Sequence, residues 1–305
     1  MIFPEHLNEG DTIGVISPAG PADPEKTTRA ADWLKSLGFQ IRLGRHIFDR
    51  AAYLAGTDEA RLEDVHTMFA DNEVKAIVCA RGGYGSARFV DKIDFSLIGA
   101  HPKIFWGYSD ITYLHTAIRQ ETGLVTFHGP MLASDMAEDD VPMLSKQLFS
   151  QLFQPISLRY DESIGPLTIL SPGSASGYLV GGNLSLLVSS LGTSFEIDTR
   201  RKLLLIEDVD EAPYRVDSML NQLRLAGKLA QAAGFVIGNF KYDKALDDEA
   251  GNFDPIFEHY LGNLHKPVLK GLMIGHCQPH FAVPLGTEAL LDADRKQLWI
   301  QPGVC

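Results

Sequence analysis

Lys103-Ile-Phe-Trp-Gly-Tyr-Ser-Asp-Ile-Thr-Tyr-Leu-His115 is the stretch on which the reading of this chain turns. An apolar strand, Lys103 to Trp106, passes through Gly107-Tyr108-Ser109 straight into an amphipathic helix, Ile111 to Ile118. A serine at so sharp a strand-to-helix turn holds its hydroxyl above the sheet edge. The N–H of the next residue, Asp110, then lies at the helix N-terminus, where it can face a developing oxyanion. Ile111 occupies the place where a full G-x-S-x-G elbow has its second glycine. Spacing alone therefore leaves a second reading open, in which Ser109 or Asp110 caps a helix.

Upstream, short apolar runs alternate with helical patterns. Thr12 to Ser17 reads as a buried strand, and Asp23-Pro24 as the cap and first-turn proline of a helix through Leu37, closed by Gly38. Phe39 to Leu43 and Val74 to Cys79 are further strands, separated by a helix capped at Thr57 or Asp58, and Leu124 to Phe127 is another. Strands alternating with helices predict a doubly wound parallel sheet whose ligands sit beyond the carboxyl ends of the strands. The loops starting at Pro18, Arg81 and Gly107 all fall at such ends. From 152 to 176 proline and glycine interrupt the apolar segments, so this stretch is expected to be a linker between an N-terminal unit, 1–151, and a C-terminal unit, 177–305. In the latter, a strand Lys202 to Ile206, a helix Pro213 to Leu225 and several short β segments after Val283 are expected.

Three further segments carry candidate chemistry. In Ala80-Arg-Gly-Gly-Tyr-Gly-Ser-Ala-Arg88, the paired glycines allow close backbone approach, their N–H groups offer a second oxyanion donor, and Arg81 and Arg88 suit a carboxylate. A phosphate site is the competing reading, but Arg88 stands where G-x-G-x-x-G needs its last glycine. In Leu203-Leu-Leu-Ile-Glu-Asp-Val-Asp-Glu211, an apolar strand delivers Glu207 and Asp208 at its end, where a carboxylate can orient a histidine; Asp208, Asp210 and Glu211 are expected in loop and capping roles. In Ile274-Gly-His-Cys-Gln-Pro-His280, His276 is a credible general base. Pro279 disfavours the helix that would align His276 and His280 on a metal, and Cys277 reads as a half-buried small residue.

Composition narrows the field. With 305 residues, 45% hydrophobic and 22% charged, the chain has material for two domains, and its net charge of -12 disfavours nucleic acid and anionic membrane surfaces as partners. Three cysteines without framework spacing, no basic-then-apolar leader at Met1 to His6 and no long apolar run lead to the expectation of a cytoplasmic protein.

Taken in order, Gly14-Val-Ile-Ser-Pro18, Arg81-Gly-Gly-Tyr-Gly85, Gly107-Tyr-Ser-Asp-Ile-Thr112, Gly181-Gly-Asn-Leu-Ser185, Ile206-Glu-Asp208 and Gly275-His276 resemble the LD-carboxypeptidase family of serine peptidases, which includes the microcin-immunity peptidases. The resemblance implies a Ser–His–Glu triad of Ser109, His276 and Glu207. It implies a flavodoxin-like or class I amidotransferase-like α/β domain carrying the serine, and a smaller β-rich domain carrying the other two residues. It further implies no metal or cofactor, a tendency to form homodimers, and removal of the terminal D-alanine from murein tetrapeptide during wall recycling. On this footing Asp110, Gly82 and Gly83 become candidate oxyanion donors, and Arg81 and Tyr84 candidate substrate contacts. Two alternatives are cleavage of a peptidyl-nucleotide antibiotic by the same triad and a noncatalytic nucleotide- or sugar-phosphate-binding module. Loops such as Asp243 to Asn252 match the family less well and are where substrate choice would be shaped.

Overall fold

A computed structural model describes residues 1–138, 140–242 and 252–305. Of the loop expected to shape substrate choice, residues 243–251 lie outside the described residues.

Among the described residues the chain forms two sheets. The first is built from β1 (Thr12–Ile16), β2 (Gln40–Leu43), β3 (Val74–Cys79), β4 (Ile104–Gly107) and β5 (Thr126–His128). These five run parallel in the order β2-β1-β3-β4-β5, the flavodoxin-like order. β1, β4 and β5 are buried along their whole length, as parallel strands covered on both faces must be. The expected local signals operate here. Asp23 accepts from the Lys26 N–H to cap the helix Pro24–Ser36, and Thr57 accepts from the Ala60 N–H to cap the helix Asp58–Ala70.

The second sheet comprises β6 (Leu158–Tyr160), β7 (Thr168–Ser171), β8 (Ser174–Asn183), β9 (Leu203–Val209), β10 (Gly234–Lys241), β11 (Val268–Lys270), β13 (Glu288–Asp292) and β14 (Gln297–Ile300). Its order is β6-β14-β13-β8-β9-β10-β11-β7, with a parallel centre from β8 to β11 and antiparallel flanks. The stretch 152–176 carries β6, β7 and the start of β8, so the residues expected to link the two halves pair into the second sheet. Conversely, β12 (Val283–Leu285) leaves the C-terminal half and pairs antiparallel with β5 at the edge of the first sheet. An edge tolerates Pro284, which has no N–H to donate.

One continuous apolar cluster holds Ile13, Val15, Trp106 and Phe127 of the first sheet together with Leu203, Leu205, Leu291 and Leu298 of the second. The carboxyl ends of β4, β5 and β9 converge on one cleft. No described helix is long and apolar enough to cross a membrane.

Candidate active site

Ser109 sits directly after β4 with φ +63, a left-handed conformation that costs a non-glycine residue about 1–3 kcal/mol and persists only where the surroundings impose it. The chain behind it enters a single 3₁₀ turn, Ser109–Ile111, and then the helix Thr112–Thr122. From below, His115 braces the turn: its Nε2–H donates to the Gly107 carbonyl at 2.8 Å, and burial holds this ring's pKa down at about 3, so it is neutral.

His276, in the loop after β11, faces the serine. Its Nε2 lies 3.2 Å from Ser109 Oγ, and its Nδ1 lies 2.7 Å from Oε2 of Glu207. A carboxylate only accepts, so the ring proton resides on Nδ1 and leaves Nε2 free to receive the serine proton. Glu207 lies within β9 rather than past its end and is wholly buried. Burial pushes its pKa up, but the His276 charge, then the His128 and His276 rings, outweigh that and hold it below its ordinary value. Burial likewise pushes His276 down, yet the charge and hydrogen bond of Glu207, with Asp208 and Asp135 behind, leave it raised above 6.5. The two shifts are opposite faces of one ion pair.

The chain as a whole is similar to known proteins. The model described as LD-carboxypeptidase N-terminal domain matches residues 13–129, and that described as LD-carboxypeptidase C-terminal domain matches residues 176–291. The chain belongs to the LD-carboxypeptidase family. It is 53% identical over 307 residues to a probable murein peptide carboxypeptidase of Bacillus subtilis, covering 99% of this chain and 95% of that one. A crystal structure of an MccF-like protein from Bacillus anthracis superposes with a TM-score of 0.90 at 27% identity, covering 99% of this chain and 100% of that chain. The muramoyltetrapeptide carboxypeptidase from Oxalobacter formigenes does so with a TM-score of 0.84 at 29% identity, covering 95% and 98%.

In this LD-carboxypeptidase the glycine-rich loop reaches the serine. A Cβ on Gly82 would lie 3.0 Å from Ser109 Cβ and 3.2 Å from its Oγ, so only glycine lets the backbone pass so close. Gly83, at φ +112, turns the chain instead toward Gly20, whose backbone would be 3.4 Å from an added Cβ. Asp110 ties the loop to the serine turn: its carboxylate accepts from the Ser86 N–H and its carbonyl from the Ser86 hydroxyl, both at 2.8 Å. Arg81 is exposed and donates to the Pro21 carbonyl at 3.2 Å. Tyr84 is exposed beside Tyr53, ring centroids 5.9 Å apart. Arg88, a candidate for a substrate carboxylate on sequence, pairs with Asp58 at 2.9 Å. Asp208, expected in a loop, is buried in β9. There it accepts from Asn183 Nδ2 and from the N–H and hydroxyl of Ser185, which steadies the Gly-Gly-Asn end of β8 beside Thr112.

Four supporting residues escaped the sequence reading. Arg61, buried in the helix Asp58–Ala70, donates to the carbonyls of Pro18 and Gly85 at 2.9 and 2.8 Å and pairs with Asp58, so it pins two site loops at once. The signal that could have found it is its place one turn before Val65, on the core-facing side of the helix, where arginine is rare. Replacing it by methionine is expected to cost about 2–4 kcal/mol, since two buried carbonyls lose their donor while Asp58 keeps Arg88; chemical denaturation reads this directly. Tyr108 lays its ring against His276, centroids 4.8 Å apart, and donates to Asp135 at 3.0 Å. Asp135 comes from the loop after β5, and His128 ends that strand. The last could have been found, because it closes a parallel strand at the edge where sites form.

The cleft opening at His276 is lined by Tyr108, Asp135, Asn239, Lys241, Cys277 and Gln278 and encloses about 540 Å³. Cys277 is half-buried, and burial, then the Glu207 charge, push its thiol up to about 12, which leaves it no thiolate at neutral pH. Among the described residues no cluster of three or more His, Cys, Asp or Glu side chains is arranged to hold a metal.

Gly275 admits no side chain: at φ +110, a Cβ would lie 2.4 Å from Glu207 Oε2. Gly275→Ala is therefore expected to displace the carboxylate and lower kcat by about 10- to 100-fold, with KM changing far less, in steady-state kinetics.

Proposed function

We propose that this carboxypeptidase hydrolyses the bond before the C-terminal D-alanine of murein tetrapeptide, L-Ala-γ-D-Glu-mDAP-D-Ala, with Ser109 as nucleophile, His276 as general base and acid, and Glu207 as the group that orients His276. The observation that carries the reading is the continuous row Ser109 Oγ, His276 Nε2, His276 Nδ1, Glu207 Oε2, with links of 3.2 and 2.7 Å.

His276 takes the Ser109 proton as Oγ attacks the carbonyl carbon, and the imidazolium so formed is balanced by buried Glu207. The N–H groups of Asp110 and of Gly82 or Gly83 receive the oxyanion; one such donor is worth about 3–4 kcal/mol in the transition state. His276 then protonates the departing amine of D-alanine. Water, activated by the same ring, releases the acyl group. Arg81 and Tyr84, on the rim beside Gly82, serve the substrate, Arg81 through its carboxylate.

The same row would serve a peptidyl-nucleotide substrate. Kinship with a murein peptide carboxypeptidase favours the cell-wall peptide. Action in the cytoplasm as a homodimer, and the division into units 1–151 and 177–305, complete the proposal. Mass spectrometry of the tetrapeptide incubated with the protein should show loss of one D-alanine. A peptide recovered intact, or one cut at another bond, would refute the assignment.

A further inference from the structure

Behind the catalytic row lies a pair of polar groups that ordinary packing would not leave as they are. His128, the last residue of β5, is wholly buried, and among the described residues neither of its ring nitrogens has a hydrogen-bond partner. Oε1 of Glu207, the oxygen His276 does not use, is also buried without a hydrogen-bond partner among the described residues. The two face each other, with His128 Nε2 3.7 Å from Glu207 Oε1, just beyond hydrogen-bond length. An orphaned buried polar atom costs about 1–3 kcal/mol, so two of them opposite one another at the centre of a site require a reason.

The surroundings supply one. β5 pairs with β4 so that His128 is the register partner of Gly107, two residues before Ser109. Tyr108 from the end of β4 packs against His128, His276 and His280, centroids 5.6, 4.8 and 4.7 Å away, and His280 lies 5.3 Å from His128. The charged and titratable groups around His128 are thus Glu207 from β9, His276 and His280 from the loop after β11, Tyr108 from the turn after β4, and His115 from the helix beneath. Glu207 is the anion among them that faces its ring nitrogen. A buried carboxylate stays ionised only when its oxygens are hydrogen-bonded, and His276 satisfies one.

We propose that His128 is a positioning residue that donates its Nε2–H to Oε1 of Glu207. The carboxylate is then held between two imidazoles while His276 gains and loses its proton. The inference rests on the proposed role of Ser109, His276 and Glu207.

Two measurements test it. In the unsubstituted protein, nitrogen-15 NMR of His128 should show a proton on Nε2; a ring whose only proton sits on Nδ1 overturns the proposal without any question of folding. In kinetics on tetrapeptide, His128→Phe should lower kcat by about 10- to 100-fold, the worth of a hydrogen bond to a charged group, with KM within about twofold. His128→Gln, whose amide can reach the same oxygen, should restore most of the loss. An unchanged kcat in His128→Phe, or a folded His128→Gln as impaired as His128→Phe, overturns it. Were Ser109→Ala still active, the catalytic row itself would be wrong; were Ser109→Ala dead and His128→Phe unimpaired, only this proposal would fall.

Discussion

Ser109→Ala is expected to abolish D-alanine release, with kcat falling by about 10⁴- to 10⁶-fold and peptide binding retained. The size of the loss follows from the chemistry. Without Oγ there is no acyl-enzyme, and His276 has no proton to take. What survives is the hydrogen bonding of the cleft, which in comparable serine enzymes is a small residue of the whole. Stability should respond differently. Because Ser109 has φ +63, alanine inherits the strained backbone and gains nothing, whereas Ser109→Gly removes the strain. Calorimetry should therefore find Ser109→Gly more stable than either serine or alanine by about 1 kcal/mol, although it too is inactive. A serine that merely capped the helix would instead give an active alanine variant, destabilised by about 1 kcal/mol through loss of the cap.

Glu207→Gln should cost about 10³- to 10⁴-fold in kcat, although the side chain keeps its shape. The amide removes the charge that balances the imidazolium and can offer N–H to Nδ1, which reverses the tautomer of His276. The pH profile carries the clearer signature. His276 is raised above 6.5 because Glu207 outweighs burial, so the acid limb of kcat/KM in the unsubstituted protein should have an apparent pKa above 6.5. In Glu207→Gln burial acts with less opposition, and that limb should move to lower pH. The linked stability has a definite window. The raised His276 contributes stability that is fully present below 6.5 and is lost as pH rises through its folded value. The lowered Glu207 contributes stability present above 4.5 and lost as pH falls through its folded value. Both act between 4.5 and 6.5, so denaturant titrations should find Glu207→Gln most destabilised in that interval.

The first sheet was legible because its signals are local. Apolar runs such as Val74 to Cys79 announce buried strands, and Asp23-Pro24 and Thr57 announce helix starts, so β3 and the helix caps emerge where the pattern puts them. In the segment 152–176 proline and glycine bend a chain that still pairs at the sheet edges, and pairing with β14 and β11 is invisible to local pattern. β12 left its own half for the same reason: only the open edge of β5 decides where Val283–Leu285 goes. In the site, Ser109, Glu207 and His276 could be nominated by residue type and neighbouring glycines. That they meet depends on the cluster joining both sheets, which no single segment encodes. Arg61 and Asp135 stayed hidden because their value lies in what they touch, carbonyls and side chains from distant turns.

The most direct test of the central claim is rapid acid quenching of the protein with tetrapeptide, followed by peptide mapping by mass spectrometry. The account predicts a tripeptidyl ester on Ser109 that is absent in Ser109→Ala. An acyl group found on another residue, or full turnover by Ser109→Ala, would contradict it.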